Sequence, residues 1–181
     1  MCTIPCFRGV LVVGIICLAT WQVPIVAGPD QTADAKVTLQ DLKYDELGKL
    51  IRANKGKVIV VDFWADYCVP CKKAFPHLVE MHNKFDKKKV AVISVTVDPR
   101  GDAEQVAMLR EAILKFLNKN KATMTNVWLD EPAEVWQEKT GINAVPFMYI
   151  FDKDNKIVKK LAGEEYNPTL AENLVEELAG K

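Results

Sequence analysis

The sequence has little cysteine beyond its N-terminal region and no excess of charge of either sign. Three of its five cysteines lie in the first 17 residues, and the other two are Cys68 and Cys71. A disulfide-stapled scaffold needs more pairs spread along the chain, so this class of protein is excluded. Lysine plus arginine (24) equals aspartate plus glutamate (24), which leaves no net field to attract nucleic acid. We therefore expect no nucleic-acid partner.

The first 28 residues are typical of an export segment. Arg8 is the only charged side chain among them, and the apolar run Gly9–Ala27 follows it. At about 1.5 Å per helical residue the run can span most of a bilayer, so a cleaved signal peptide and a retained membrane anchor both stay open. A cleaved segment would end near Ala27 or Ala35, where small residues occur.

The remaining chain is long enough for one domain. Residues 29–38 are polar and irregular, and we interpret them as a linker. Residues 39–181 then form a single domain, because single domains commonly run to about 100–200 residues. We expect a monomer.

The hydrophobic pattern of this domain alternates between strand and helix signals. Continuous apolar runs at 58–61 and 90–97 predict buried strands, and the helical spacing over residues 71–85 predicts a helix between them. A strand, a helix and a second strand in this order predict a parallel βαβ unit.

The other elements extend this unit into a mixed sheet flanked by helices. A proline is well placed in the first turn of a helix, and a polar turn between two strands indicates a hairpin. The predicted elements are a helix from Leu42 to Ile51, a helix from Val106 to Leu117, a strand at 126–129, a helix from Pro132, a strand at 146–151, its hairpin partner at 156–161 and a closing helix at 168–178. The fold class is therefore α/β, with parallel strands first and an antiparallel hairpin last.

Two cysteines separated by two residues lie where a buried strand leads into a helix. Cysteines at this spacing can form a disulfide across one helical turn. The first thiol faces unpaired backbone amides and the positive end of the helix dipole, which favour the thiolate. Cys68 is thus predicted to be the attacking thiol and Cys71 the resolving thiol. Pro70 restricts the loop between them.

The segment Val60-Val61-Asp62-Phe63-Trp64-Ala65, followed by this cysteine pair, resembles thioredoxins. The continuation Cys-Val-Pro-Cys-Lys-Lys-Ala-Phe-Pro, residues 68–76, is similar to the exported TlpA- and ResA-like branch. The resemblance covers about residues 40–180. It implies a thioredoxin-like fold with a helix and a strand inserted before the strand that follows Pro146. It also implies a disulfide oxidoreductase that needs no cofactor beyond its cysteine pair.

The same resemblance assigns roles to further residues. Asp62 stands where thioredoxins keep a buried acid that takes the proton of the second cysteine, here Cys71. Burial should raise the pKa of such a carboxyl group. A strand-end aspartate paired with a lysine is the other interpretation of Asp62. The resemblance further implies a cis peptide bond between Val145 and Pro146, and substrate contacts through Trp64, Tyr67, Val69, Pro70, Val145 and Pro146.

Three rival interpretations use the same residues. Cys68, Cys71, His77 and His82 could be written as a metal site, but histidines five residues apart do not share one helical face, so we predict no metal. A non-catalytic binding module of the same fold would not need both cysteines. A peroxidase of the peroxiredoxin type would ordinarily offer a lone reactive cysteine.

The sequence therefore predicts an exported thiol-disulfide oxidoreductase. Its expected partners are cysteine-containing proteins, with apocytochrome c as the client that the resemblance suggests, and a membrane or exported electron donor. The expected location is the bacterial periplasm or the outer face of the membrane. A thiol oxidase of the same fold is the alternative direction, because the direction depends on redox potentials that the residues do not specify.

Overall fold

The computed structural model describes residues 36–180 of the chain. The helices and strands alternate along most of this range and end with a hairpin and a helix. In chain order they are β1 (Gln40–Leu42), α1 (Tyr44–Ala53), β2 (Val58–Trp64), α2 (Val69–Lys84), β3 (Val90–Thr96), α3 (Ala103–Lys119), β4 (Thr125–Leu129), α4 (Ala133–Thr140), β5 (Phe147–Phe151), β6 (Ile157–Ala162), a 3₁₀ turn (Gly163–Glu165) and α5 (Pro168–Gly180).

Within the described range the strands form one six-stranded mixed sheet in the order β1-β4-β3-β2-β5-β6. The pairs β1–β4, β4–β3 and β3–β2 are parallel, whereas β2–β5 and β5–β6 are antiparallel. The predicted mixed sheet, with its parallel strands first and its hairpin last, is confirmed. The predicted insertion is also present, because α3, β4 and α4 lie between β3 and β5.

One helix was predicted to begin too early. Leu42 lies in β1, where it pairs with Leu129 of β4, and the helix begins only at Tyr44. Residues 40–42 form a strand because they pair with the edge of β4 that faces away from β3. The backbone groups of β4 at that edge would otherwise lack hydrogen-bond partners, which is costly. Pro132 likewise precedes its helix as the cap residue, and α4 begins at Ala133.

The two faces of the sheet carry different aromatic clusters. On one face Phe63 of β2 stacks on Phe147 of β5 with ring centroids 4.2 Å apart, and Trp136 of α4 packs behind. On the other face Trp64 contacts Phe75 of α2 and Phe116 of α3, at 5.1 and 5.0 Å between centroids. Because successive strand residues point to opposite faces, Asp62 lies on the same face as Trp64, the face that α2 covers.

The predicted export segment, residues 1–28, and the first part of the predicted linker lie outside the described residues. None of the helices within residues 36–180 is long and apolar enough to cross a membrane.

Candidate active site

The cysteine pair lies at the junction between β2 and α2. Cys68 is the N-cap residue of α2, and its Sγ atom accepts a hydrogen bond of 3.2 Å from the backbone N–H of Cys71. Pro70 lies in the first turn, where its missing N–H costs no helical hydrogen bond. The first turn carries no acidic side chain. The Cys68 sulfur therefore lies next to a backbone donor and the positive end of the helix dipole, and no acidic side chain in the first turn opposes a negative charge on it.

Cys68 and Cys71 form a disulfide with an S–S distance of 1.98 Å and 5.3 Å between the Cα atoms. Cys71 is the more deeply buried of the two, with 2% of its surface exposed against 6% for Cys68. After reduction, the donor that now contacts the Cys68 sulfur would stabilise a thiolate there, because hydrogen bonds to a charged form favour that form. The arrangement can thus alternate between a disulfide and a nucleophilic dithiol.

A buried acid lies on the same face of the sheet as α2. Asp62 is 2% exposed, and burial raises its pKa to about 7, while a hydrogen bond from Tyr166 acts in the opposite direction. The Tyr166 hydroxyl donates to Asp62 Oδ1 at 2.8 Å. The raised pKa agrees with the sequence-based expectation. The alternative pairing of Asp62 with a lysine is not what the described residues show, because its partner is a tyrosine.

A second buried carboxylate supports the loop before Cys68. Both carboxylate oxygens of Asp98 accept the backbone N–H of Asp66, at 3.0 and 2.8 Å, and Thr96 donates a further hydrogen bond from its hydroxyl. The Asp66 side chain binds Lys72 of α2, with 2.6 Å between Oδ1 and Nζ. Burial raises the pKa of Asp98. These contacts connect the end of β3, the loop and the start of α2.

Sequence reasoning missed both Tyr166 and Asp98. Asp98 comes directly after the predicted strand at 90–97, and this position was a usable signal. Tyr166 had no comparable signal, because it lies 104 residues from its partner.

Most of the predicted substrate contacts lie at one end of the sheet. Tyr67 and Val69 are 66% and 62% exposed on either side of Cys68. The Val145–Pro146 bond is cis, as the resemblance implies. Phe147 pairs with Phe63 near the end of β2, so Pro146 lies beside the strand end from which the cysteine loop emerges. The substrate roles of these residues and of Pro70 stay predictions.

The prediction that the side chain of Trp64 contacts a substrate is wrong. Trp64 is 1% exposed, and its indole N–H donates to Ser94 Oγ at 2.8 Å. Strand alternation points the ring into the layer between the sheet and the helices, against Phe75 and Phe116. Trp64 therefore packs the core under α2 and α3, and a docked protein would not reach it.

The two histidines of α2 point to different surroundings. His77 is exposed and its Nδ1 lies 3.3 Å from Glu80. His82 is half-buried, and burial together with nearby Lys87 lowers its pKa to about 4. Within residues 36–180 no group of three or more histidine, cysteine or acidic side chains is arranged to hold a metal ion.

A profile of proteins described as thioredoxin-like matches residues 56–157, which include β2, the cysteine pair and the cis-proline. The chain belongs to the thioredoxin-like family. ResA of Bacillus subtilis, a thiol-disulfide oxidoreductase, is 25% identical over 171 residues, which cover 92% of this chain and 86% of that protein. ResA of Bacillus thuringiensis is 28% identical over 66% of this chain. The matched part spans 63% of that relative's length.

Solved structures with the same fold also carry thiol-disulfide names. The thioredoxin domain of a thiol-disulfide oxidoreductase from Bacteroides vulgatus is 28% identical, with a TM-score of 0.54 over 68% of this chain and 83% of that one. A thiol:disulfide interchange protein from Bacteroides sp. is also 28% identical, with a TM-score of 0.53 over 71% of this chain and 77% of that one. This thioredoxin-like chain therefore shares its fold with these thiol-disulfide proteins.

Proposed function

We propose that the protein is an extracytoplasmic thiol-disulfide oxidoreductase that reduces disulfides of exported cysteine proteins. The observation that carries the proposal is the position of Cys68 as the N-cap of α2, bonded to Cys71 one helical turn further on. The relatives named as thiol-disulfide oxidoreductases support it. Apocytochrome c is the proposed client, on the resemblance to the TlpA- and ResA-like branch.

The reaction transfers two electrons in two exchanges. The Cys68 thiolate attacks one sulfur of the client disulfide, so that a mixed disulfide forms and the other client sulfur leaves as a thiolate. Cys71 loses its proton to Asp62 and attacks Cys68, which forms the Cys68–Cys71 disulfide and releases the second client thiolate. Both client thiolates take up protons. The client is reduced, the protein is oxidised, and a membrane or exported dithiol donor reduces the protein again.

Turnover of a model substrate tests the activity. Catalytic amounts of the protein should accelerate the reduction of insulin by dithiothreitol, because the dithiol form passes electrons to the insulin disulfides. The control is the same protein whose reduced cysteines have been blocked by alkylation. If the unmodified and the blocked protein gave equal rates of insulin precipitation, the proposed activity would be refuted.

Export is tested separately, because it rests on residues 1–28 alone. A reporter enzyme that is active only outside the cytoplasm should be active when it is fused behind residues 1–35. The same reporter fused to the chain from residue 36 onward should be inactive. Equal reporter activity in the two fusions would show that the N-terminal segment does not direct export.

A further inference from the structure

The hydroxyl of Tyr166 is the one side-chain donor that contacts the buried acid among the described hydrogen bonds. Tyr166 lies between the 3₁₀ turn and α5, and its backbone N–H donates to the carbonyl of Gly163 at 3.2 Å. Its hydroxyl reaches Asp62 Oδ1 at 2.8 Å. The tyrosine is half-buried, whereas Asp62 is 2% exposed. The contact therefore joins the segment before α5 to the middle of the sheet.

We propose that Tyr166 is a positioning residue for the resolving step, because its hydrogen bond holds the Asp62 carboxylate ionised and ready to accept the Cys71 proton. The proposal rests on the function proposed above, in which Asp62 takes that proton. Tyr166 touches neither client nor sulfur in this scheme, and it acts through Asp62 alone.

Two opposing effects act on Asp62. Burial favours its neutral form and is the larger effect, whereas the hydroxyl of Tyr166 stabilises the charged form. Tyr166 stays a donor throughout, since burial and the neighbouring Asp62 raise the pKa of its own hydroxyl. Without the hydroxyl, Asp62 would be protonated over a wider range of pH and would be a base over a narrower one.

The neighbouring elements offer Asp62 little other electrostatic support. Its register partners are Ser94 on β3, which accepts a hydrogen bond from Trp64, and Met148 on β5. The buried residues of α5 are Ala171, Val175 and Ala179, and those of α2 are Cys71, Phe75, Leu78, Val79 and Met81.

Several charged groups of these two helices have partners at the surface. Lys84 of α2 binds Glu172 and Glu176 of α5, at 2.9 Å in both cases. Lys72 binds Asp66. The other ionisable residues on α2 and α5 are exposed or half-buried, namely Lys73, His77, Glu80, His82 and Glu177. On β2, α2 and α5 the buried titratable groups are therefore Asp62 and Cys71, with Tyr166 at the margin of this face. The buried Asp98 beyond the end of β3 is bonded to the Thr96 hydroxyl and the Asp66 N–H, not to Asp62.

The test is the pH profile of the resolving step in the variant Tyr166→Phe. Reduced protein is mixed with excess of an aromatic disulfide whose released thiolate is coloured. Attack by Cys68 releases the first thiolate at a rate that depends on the reagent concentration. Closure by Cys71 releases the second thiolate in a second phase, whose rate does not depend on the reagent concentration. The rate of this second phase should rise with pH as Asp62 ionises, and its midpoint is the pH at half the maximal rate. In Tyr166→Phe the midpoint should move upward by about one pH unit, and the rate at pH 7 should fall about fivefold.

A matched control separates this role from a general loss of stability. Tyr149→Phe removes another tyrosine hydroxyl, which donates to the Thr140 carbonyl on the opposite face of the sheet. This variant should keep the wild-type midpoint. A Tyr166→Phe profile that coincides with wild type would overturn the proposal, whereas release of only one thiolate by wild type would instead refute the proposed function.

A second substitution keeps the test valid if Tyr166→Phe folds poorly. Replacement of Tyr166 by 3-fluorotyrosine keeps the ring and makes the hydroxyl a stronger donor. The midpoint of the second phase should then move downward, a direction that damage to the fold would not produce. An unchanged or raised midpoint with this residue would contradict the proposal.

Discussion

Cys71→Ser is expected to stop the reaction at the mixed disulfide and to hold a client protein covalently on Cys68. Cys68 keeps its place as the N-cap of α2, so it can still attack, but the buried sulfur that would displace the client is gone. The expected turnover in the insulin assay is at background. Proteins attached through Cys68 can be separated under non-reducing conditions, released with a thiol and identified by mass.

The matched control is Cys68→Ser, which leaves Cys71 as the remaining thiol of the pair. Because Cys71 is 2% exposed, it should trap few clients, and insulin turnover should again be at background. Clients that accumulate on Cys71 of Cys68→Ser, and not on Cys68 of Cys71→Ser, would reverse the assigned roles. Recovery of an apocytochrome c from Cys71→Ser would support the proposed client.

Asp62→Asn is expected to stabilise the oxidised protein at alkaline pH. Wild type must bury a carboxylate at pH 9, whereas the variant buries a neutral amide of nearly the same shape that can still accept the Tyr166 hydrogen bond. Between pH 4 and pH 9 the advantage of the variant should grow by about 3 to 4 kcal/mol in the free energy of unfolding. Denaturant titrations of both proteins at several pH values measure this difference.

The direction follows from the two states of Asp62. Its pKa is about 7 in the folded protein and lies at the usual value of 3.8 in the unfolded chain. Between these values Asp62 binds more protons in the folded state than in the unfolded state, so its contribution to the stability of wild type decreases as the pH rises from about 4 to about 7. Above that range both states are ionised and the loss is complete.

Asp154→Asn is the matched control, since it makes the same chemical change in the exposed turn between β5 and β6. Its stability relative to wild type should stay nearly constant across the same pH range. The oxidised form is used because the cysteines of a disulfide do not titrate. If the difference in the free energy of unfolding between Asp62→Asn and wild type were the same at pH 5 and pH 9, burial would not raise the pKa of the Asp62 carboxyl group.

The position of the Cys68–Cys71 pair at the start of a helix could be predicted because its signals are local. A buried strand, a spacing of three residues and a helix start all lie within a few positions of one another, and helix ends expose backbone donors in any fold. The order of strands and helices was predictable for a similar reason, since hydrophobic period distinguishes the two. The cis bond before Pro146 needed the resemblance, because trans is the usual state of such bonds.

The errors came from contacts between distant segments. β1 has three residues, too few for a periodic signal, and it forms because β4 offers it an edge. Trp64 was predicted to contact substrate on the resemblance, but the alternation of β2 directs its side chain under α2 and α3. In both cases the pairing of the whole sheet outweighed the local pattern.

By itself, the sequence determined a cysteine pair at the start of a helix and the mixed α/β sheet behind it, because backbone geometry and spacing suffice for both. The tertiary structure alone decided what surrounds the acid at Asp62. The pKa of a buried carboxyl group depends on the few groups within hydrogen-bonding distance. For Asp62 the hydrogen-bonding group is the hydroxyl of Tyr166, and only the folding of the C-terminal segment against β2 brings the two side chains into contact.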